Sequence, residues 1–293
     1  MRVLITGCHG QVGSSLTKQL SNHDNTVVLA LDREHLDITC QEVVSAAITE
    51  FQPTIIINAA AHTAVDKAEE EVELSYAINR DGPKYLAEAA QSVGAAILHI
   101  STDYVFEGNK LGEYAESDTT NPQGVYGESK LAGEIAVAKA CDKHIILRTA
   151  WVFGENGNNF VKTMLRLAGN RDELSIVGDQ FGGPTYAGDI ANALTKIAQC
   201  ITQGGAVEFG VYHYSGLPHV SWFEFADVIF DLAVKERVLA KKPTLKSITT
   251  EQYPTPAKRP SNSRLSTEKI TLGFSVEASD WKTALKNIQA YTG

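Results

Sequence analysis

Continuous runs of apolar, largely β-branched residues alternate with segments of helical periodicity through the first half of the chain. Polar residues do not interrupt these runs at every second position, which is typical of parallel strands buried on both faces. The pattern predicts strands at residues 2–6, 26–31, 54–58, 95–101 and 144–148, and helices at residues 12–20, 42–51, 74–93 and 125–140. Regular strand–helix alternation of this length predicts an α/β fold with a doubly wound parallel sheet of the Rossmann type.

The regular strand–helix alternation ends after about residue 150, where loop-forming residues become frequent. Residues 156–159 form a polar, turn-rich segment, and residues 253–260 contain three prolines. Helical periodicity returns at residues 222–234 and 281–291. We therefore predict a Rossmann domain at residues 1–155, to which part of residues 186–215 returns, and a smaller substrate-binding lobe formed mainly by residues 156–293.

The composition narrows the function classes. Hydrophobic residues make up 43% and charged residues 21% of the 293 residues, as in ordinary globular proteins. The net charge is −9 and basic residues cluster at most in pairs, so we expect no nucleic-acid partner. The sequence has no run of 18 apolar residues and no signal-like segment, so we expect a cytosolic protein outside the membrane. The four cysteines and eight histidines lack ligand spacing, which predicts reduced thiols and no bound metal.

A glycine-rich segment joins the first predicted strand to the first predicted helix. Gly7 suits a sharp turn, Gly10 a close approach of a diphosphate, and Gly13 tight packing of the helix. A helix that begins near Gln11 and Val12 offers N–H groups and a positive dipole end to phosphates. The position of these glycines predicts a site for NADPH or NADH.

An acidic residue supports the same site. Asp32 lies 19 residues after Gly13, close to the spacing of the carboxylate that binds an adenosine ribose; a helix cap or turn is the alternative. Arg33 follows and suits a 2′-phosphate, so both cofactors stay open. We also assign cofactor contacts to Asp37 and Ile38 at the adenine, and to the small residues that end the third strand. Those small residues are Ala59, Ala60 and Ala61, for which tight packing is the alternative.

The candidate chemistry lies around the fourth strand. Tyr126 and Lys130 are four apart at the start of a predicted helix, so they share one face. A lysine ammonium there would lower the pKa of the tyrosine, which could then donate a proton to a carbonyl as hydride arrives. Thr102 ends the fourth strand, where ligands of open α/β sheets bind, and its hydroxyl suits the same carbonyl. The alternatives are a solvated helix face for the Tyr–Lys pair and a turn cap for Thr102.

Longer stretches resemble the dTDP-4-dehydrorhamnose reductase family of extended short-chain dehydrogenases/reductases. They comprise residues 58–69, 101–106, 148–154, 178–186 and 259–265. The three glycines, Thr102 and the Tyr126–Lys130 pair resemble the same superfamily, so the likeness runs from residue 1 to about residue 270. The resemblance implies reduction of the 4-keto group of dTDP-4-dehydro-L-rhamnose by NADPH or NADH.

The resemblance also implies residue roles. Tyr126 would be the proton donor, Lys130 would orient it and the nicotinamide ribose, and Thr102 would contact the carbonyl. Contacts to the dTDP-sugar would come from Thr102, Asp103, Trp151, Asn159 and Arg259, and further cofactor contacts from Ala61, His62 and Thr63. A core aromatic is the alternative for Trp151, and a plain strand-end histidine the alternative for His62.

One departure from the family concerns assembly. Some members form a dimer through magnesium held by glutamates, one of them just after the third glycine, where this chain has Ser14 and Ser15. We therefore expect a monomer or weak homodimer without a bound metal, and a solvated helix face for Glu69–Glu71.

Two other functions compete with the reductase. The related dehydratases carry glutamate after Thr-Asp, where this chain has Tyr104, and epimerases consume no net NAD(P)H. A non-catalytic nucleotide-binding subunit would not need Thr102, Tyr126 and Lys130 together.

Overall fold

Six parallel strands form the central sheet of the structure, a computed structural model that describes residues 1–292. The strands in chain order are β1 (Arg2–Thr6), β2 (Val27–Leu31), β3 (Ile55–Asn58), β4 (Ala96–Thr102), β5 (His144–Thr149), β6 (Val152–Phe153), β7 (Glu173–Val177), β8 (Phe181–Gly182), β9 (Thr185–Tyr186), β10 (Gly210–His213), β11 (Val220–Ser221), β12 (Thr244–Ile248) and β13 (Asn262–Ser263). The order in the central sheet is β10-β5-β4-β3-β1-β2. The chain reverses direction across the sheet between β1 and β3, which is where ligands bind in such sheets.

Helices cover both faces of this sheet. The α-helices of residues 1–292 are, in chain order, α1 (Gln11–Leu20), α2 (Gln41–Phe51), α3 (Val65–Ala68), α4 (Val72–Tyr76), α5 (Gly82–Val93), α6 (Val125–Ala140), α7 (Phe160–Ala168), α8 (Ala187–Thr202), α9 (Trp222–Lys235), α10 (Glu268–Phe274) and α11 (Trp281–Ala284). Those packed on the sheet include α1, α2, α5, α6, α8 and α10. None of those in residues 1–292 has the length and apolar composition needed to cross a membrane.

Successive strand residues enter two separate hydrophobic cores. Ile5 and Ile57 pack with α1, α8 and α10 on one face, whereas Leu4 and Ile56 pack with α2, α5 and α6 on the other. This two-sided burial is the physical reason for the uninterrupted apolar runs. The predicted doubly wound parallel sheet is therefore confirmed, and the five predicted strands lie within two residues of their predicted bounds.

Several elements differ from the prediction. The sheet has a sixth strand, β10, which pairs with β5 and was not predicted as a strand. The predicted helix at 74–93 begins at Val72 and contains a π-helical turn at Ala77–Asp81. The predicted helix at 281–291 is wrong: α11 ends at Ala284, and a tighter 3₁₀ segment with non-helical Asn287 follows.

A third core lies in the C-terminal part of the chain. It is built from α7, α9, the parallel pair β7–β12 and the last segment, around Phe225, Trp281 and Ile288. Residues of α8, β10 and α10 instead pack on the central sheet, with Ile190, Tyr212 and Ile270 in its first core. The chain thus leaves the central sheet and returns to it twice, while the predicted domain boundary at residue 155 stays a prediction.

Candidate active site

The glycine segment forms a tight turn between β1 and α1. Gly7 has φ of +69°, and a Cβ there would lie 2.7 Å from the Ala60 nitrogen at the end of β3. A Cβ on Gly13 would lie closer than 3.0 Å to the Gly7 carbonyl oxygen. Gly10 is the N-cap of α1 and has no side chain to block the first N–H groups of the helix. A backbone cradle at a helix N-terminus fits the diphosphate of a nicotinamide dinucleotide.

Gly13→Ala is expected to weaken NADPH binding about fivefold or more. The new methyl must displace the Gly7 carbonyl, and such overpacking costs about 1–3 kcal/mol. Titration of NADPH fluorescence measures the effect. Gly169→Ala is the matched control, since its Cβ would make ordinary contact at 3.5 Å with the Arg166 oxygen. Equal affinities for the two variants would contradict the assigned cradle.

Asp32 follows β2 and lies next to the glycine turn. Its Oδ2 is 3.1 Å from His9 Nε2, and its Oδ1 is 2.7 Å from His35 Nδ1. The hydrogen bond from His35 is the main cause that lowers the pKa of Asp32. Arg33 beside it is exposed. The tertiary structure thus brings the predicted ribose carboxylate to the glycine turn, together with two histidines that the sequence did not mark.

The residues assigned to the adenine make local contacts. Asp37 Oδ1 accepts hydrogen bonds from the Thr39 backbone N–H and from its hydroxyl, 3.0 and 2.7 Å away, and these bonds lower the pKa of Asp37. Ile38 is buried, and a Cβ on Gly82 would lie 2.7 Å from its side chain. Their assignment to the adenine stays a prediction.

The segment after β3 is fixed by the π-helical turn. Asn79 accepts from the His62 N–H at 2.8 Å and donates to the His62 carbonyl at 3.1 Å. The His62 ring lies 2.9 Å from Ser75 Oγ and 3.1 Å from a Glu71 carboxylate oxygen. Ala59, Ala60 and Ala61 are partly buried, while Thr63 is exposed. π-turns often occur at functional sites. Asn79 holds this predicted cofactor segment, although no local sequence pattern marks it.

Thr102, Tyr126 and Lys130 meet at the carboxyl end of β4. The Thr102 hydroxyl lies beside that of Tyr126 and acts to lower its pKa, and Lys130 Nζ donates to the Ile100 carbonyl at 2.7 Å. Lys130 is 2% exposed, and burial lowers the pKa of its ammonium to about 8, with the Glu134 carboxylate opposing this shift.

The expected pKa shift of Tyr126 is wrong. Burial is the main cause that raises the pKa of its hydroxyl, Asp103 and Tyr104 add to the rise, and the hydrogen bond with Thr102 opposes it. Lys130 does not act as predicted because its ammonium is directed to the Ile100 carbonyl. Tyr126 therefore keeps its proton at neutral pH, which suits a proton donor.

Asp103 is a buried carboxylate beside this group. It accepts hydrogen bonds from the Thr102 hydroxyl at 3.0 Å and from the Ser263 hydroxyl of β13. Burial raises the pKa of Asp103 to about 6, although both hydrogen bonds act against the rise. This carboxyl connects the end of β4 to a strand from the C-terminal half.

Tyr104 connects Arg259 to the Tyr126 ring. The two tyrosine rings pack edge to face with centroids 5.4 Å apart, and Arg259 Nη1 donates to the Tyr104 hydroxyl at 3.3 Å. Arg259 Nη2 also pairs with Asp66 at 2.6 Å. The sequence marked Arg259 but missed Tyr104 and Asp66, because their partners lie far away along the chain.

Trp151 forms a flat aromatic surface with Trp222. The two indoles stack with centroids 3.5 Å apart and planes 10° apart. Trp151 has φ of +50°, a costly conformation for a large residue, and Gly182 lies against its ring. Asn159 lies elsewhere: it caps α7 and donates to the Gln11 side chain at 3.1 Å, on the cofactor side.

The acidic run at residues 69–71 is not simply a solvated face. Glu69 Oε1 accepts from the Val125 N–H at 2.9 Å, so it caps the helix that carries Tyr126. A Cβ on Gly124 would lie 2.7 Å from that oxygen. Glu71 contacts His62, and only Glu70 fits the expectation of a fully solvated side chain.

No group of three or more His, Cys, Asp or Glu side chains in residues 1–292 is arranged to hold a metal ion. Ser14 and Ser15 donate to the Cys8 and Gln11 carbonyls. Oligomeric state and metal content stay predictions.

Known proteins match the chain from end to end. The family model described as RmlD substrate binding domain matches residues 1–292. A dTDP-4-dehydrorhamnose reductase from Aggregatibacter actinomycetemcomitans is 55% identical over 290 residues, covering 99% of each chain. A solved dTDP-4-dehydrorhamnose reductase from Clostridium acetobutylicum has a TM-score of 0.90 at 42% identity and 98% coverage of both chains. The Bacillus anthracis reductase of that name, solved with NADP, has a TM-score of 0.90 at 39% identity, covering 98% of this chain and 97% of that chain.

Proposed function

The chain belongs to the RmlD substrate binding domain family, and we propose that it reduces the 4-keto group of dTDP-4-dehydro-L-rhamnose with NADPH or NADH. The product would be dTDP-L-rhamnose. The observation that carries this proposal is the meeting of Thr102, Tyr126 and Lys130 at the carboxyl end of β4. The glycine cradle lies at the end of β1 in the same sheet, at the edge where ligands bind.

Ketone reduction adds a hydride to carbon and a proton to oxygen, and the nicotinamide supplies the hydride when it is bound. The Tyr126 hydroxyl donates the proton to O4 of the sugar. The Thr102 hydroxyl hydrogen-bonds the same oxygen and holds the carbonyl toward Tyr126. These two contacts stabilise the negative charge that develops on O4.

The pKa directions are consistent with this division of roles. The raised pKa of Tyr126 keeps its phenol protonated until a basic alkoxide forms next to it. Lys130, one helical turn away with a pKa of about 8, is mostly cationic at neutral pH. We propose that Lys130 orients the Tyr126 hydroxyl and the nicotinamide ribose.

Side chains around Tyr126 suit a sugar nucleotide. Arg259 offers a planar guanidinium, the group best matched to a diphosphate, although Asp66 currently pairs with it. The Trp151 indole offers a flat apolar face to a base or sugar ring. Asp103 would accept hydrogen bonds from sugar hydroxyls, and Asn159 would donate to a phosphate in place of its bond to Gln11 or Gly154.

Turnover tests the proposal directly. Purified protein, NADPH or NADH, and dTDP-4-dehydro-L-rhamnose are mixed, and absorbance at the nicotinamide band is followed. We expect one equivalent of cofactor to be oxidised for each sugar reduced. Product formation without net cofactor oxidation would favour an epimerase, and cofactor binding without any reaction would favour a non-catalytic subunit.

A further inference from the structure

Two histidines from different segments flank Asp32, the carboxylate assigned to the adenosine ribose. His9 comes from the glycine turn and lies 3.1 Å from Oδ2, and His35 comes from the turn after β2 and lies 2.7 Å from Oδ1. The backbone N–H groups of Glu34 and His35 also donate to Oδ1, each at 3.0 Å. Both carboxylate oxygens therefore already have a partner.

The two cofactors place opposite demands on this carboxylate. The free 2′-hydroxyl of NADH needs an acceptor, whereas the 2′-phosphate of NADPH is repelled by a bare carboxylate. An imidazolium that pairs with Asp32 cancels its charge and offers a donor to phosphate, and the exposed Arg33 adds a permanent cation. A neutral imidazole can only donate one hydrogen bond and cancels no charge.

We propose that His35, with His9 on the other oxygen of Asp32, sets the choice between NADPH and NADH through its charge, so that the preference for NADPH is strongest at acidic pH and weakens as pH rises. The proposal rests on the proposed function only in requiring that the glycine turn bind a nicotinamide dinucleotide. The His9 and His35 side chains are 80% and 71% exposed, so a 2′-phosphate can reach both.

The charged groups around Asp32 support a preference for NADPH that weakens as pH rises. Asp32 raises the pKa of His35, mainly through their hydrogen bond, and Glu34 adds to the rise. The pKa of Asp32 is lowered in return, so the carboxylate stays ionised while His35 titrates. Burial is the main cause that raises the pKa of the Cys8 thiol, and Asp32 adds to the rise, so this thiol is neutral. The cationic charge around Asp32 thus decreases as pH rises through the histidine range.

Cofactor fragments test the proposal without turnover. Calorimetric titration compares adenosine 2′,5′-bisphosphate with adenosine 5′-monophosphate between about pH 5.5 and about pH 8.5. In the wild type we expect the affinity ratio of bisphosphate to monophosphate to fall about three- to fivefold as the His35 imidazolium loses its charge. The 2′-phosphate itself gains charge near pH 6, which acts in the opposite direction.

Variants separate the two titrations. His9→Gln/His35→Gln is expected to lose the fall in the ratio and to show only the titration of the phosphate. His9→Lys is expected to keep its preference for the bisphosphate at about pH 8.5, because its charge does not titrate there. His23→Gln, at an exposed histidine that precedes β2, is the matched control and should behave as wild type.

The outcomes are distinguishable. A fall of the same size in the double variant as in the wild type would overturn the role of the histidines. Binding of neither fragment would overturn the inference together with the cofactor site. Normal fragment binding with the expected pH dependence would support the inference even if the keto sugar were not reduced, a result that would count against the proposed function alone.

Discussion

Replacing Tyr126 with phenylalanine is expected to lower kcat by about 10²–10⁴-fold, the usual contribution of a positioned proton donor. The phenylalanine ring can keep the edge-to-face contact with Tyr104, so the packing around it should change little. Only the hydroxyl beside Thr102 is lost. Affinity for NADPH and thermal stability should therefore stay close to those of the wild type.

Steady-state kinetics with saturating NADPH and the keto sugar measure this effect, and fluorescence titration measures cofactor binding separately. Tyr85→Phe is the matched control, because Tyr85 lies on α5 in the second core, away from Thr102. Near-normal turnover in Tyr126→Phe would show that another group donates the proton. Loss of cofactor binding in step with turnover would instead indicate a structural defect.

Replacing Glu134 with alanine is expected to lower the free energy of unfolding by about 3–5 kcal/mol, since it leaves the buried Arg148 guanidinium unpaired. Glu134 lies on α6 and Arg148 on β5, and both side chains are at most 5% exposed. Arg148 Nε and Nη2 donate to the two carboxylate oxygens at 2.9 and 2.7 Å. The pair therefore ties the helix that carries Tyr126 and Lys130 to the sheet.

Urea-induced unfolding measures the loss. Asp172→Ala is the control. It breaks the surface ion pair between Asp172, 85% exposed, and Lys241, 73% exposed, and should have no measurable effect on stability. Glu134→Leu combined with Arg148→Met should recover most of the stability, because no buried charge remains. A small loss in Glu134→Ala would mean that water reaches the guanidinium.

Glu134→Ala is also expected to change the pH dependence of activity. Glu134 raises the pKa of Lys130 against the larger lowering by burial. Its removal should lower that pKa further, so the Lys130 cation would be lost at a lower pH. In a pH profile of kcat, the pH at which activity of the folded variant declines on the alkaline side should then be lower than in the wild type.

The sequence by itself determined the elements that depend on short-range periodicity. Largely apolar runs predicted five of the six parallel strands, because residues on both faces of these strands enter a hydrophobic core. The spacing of Gly7, Gly10 and Gly13 placed the turn between β1 and α1, since their requirements are local backbone requirements. Tyr126 and Lys130 were assigned to one helical face because helix geometry is fixed.

Contacts between distant positions were decided only by the tertiary structure. Glu69 caps a helix that begins at Val125, and Asn79 forms hydrogen bonds with the backbone of His62. No local sequence pattern marks either pair. The pKa of Tyr126 rises because burial outweighs charge, a balance that the spacing of Tyr126 and Lys130 cannot reveal. Desolvation and long-range hydrogen bonds depend on what surrounds a group after folding, which is why the chemistry of this site followed from the fold and its location from the sequence.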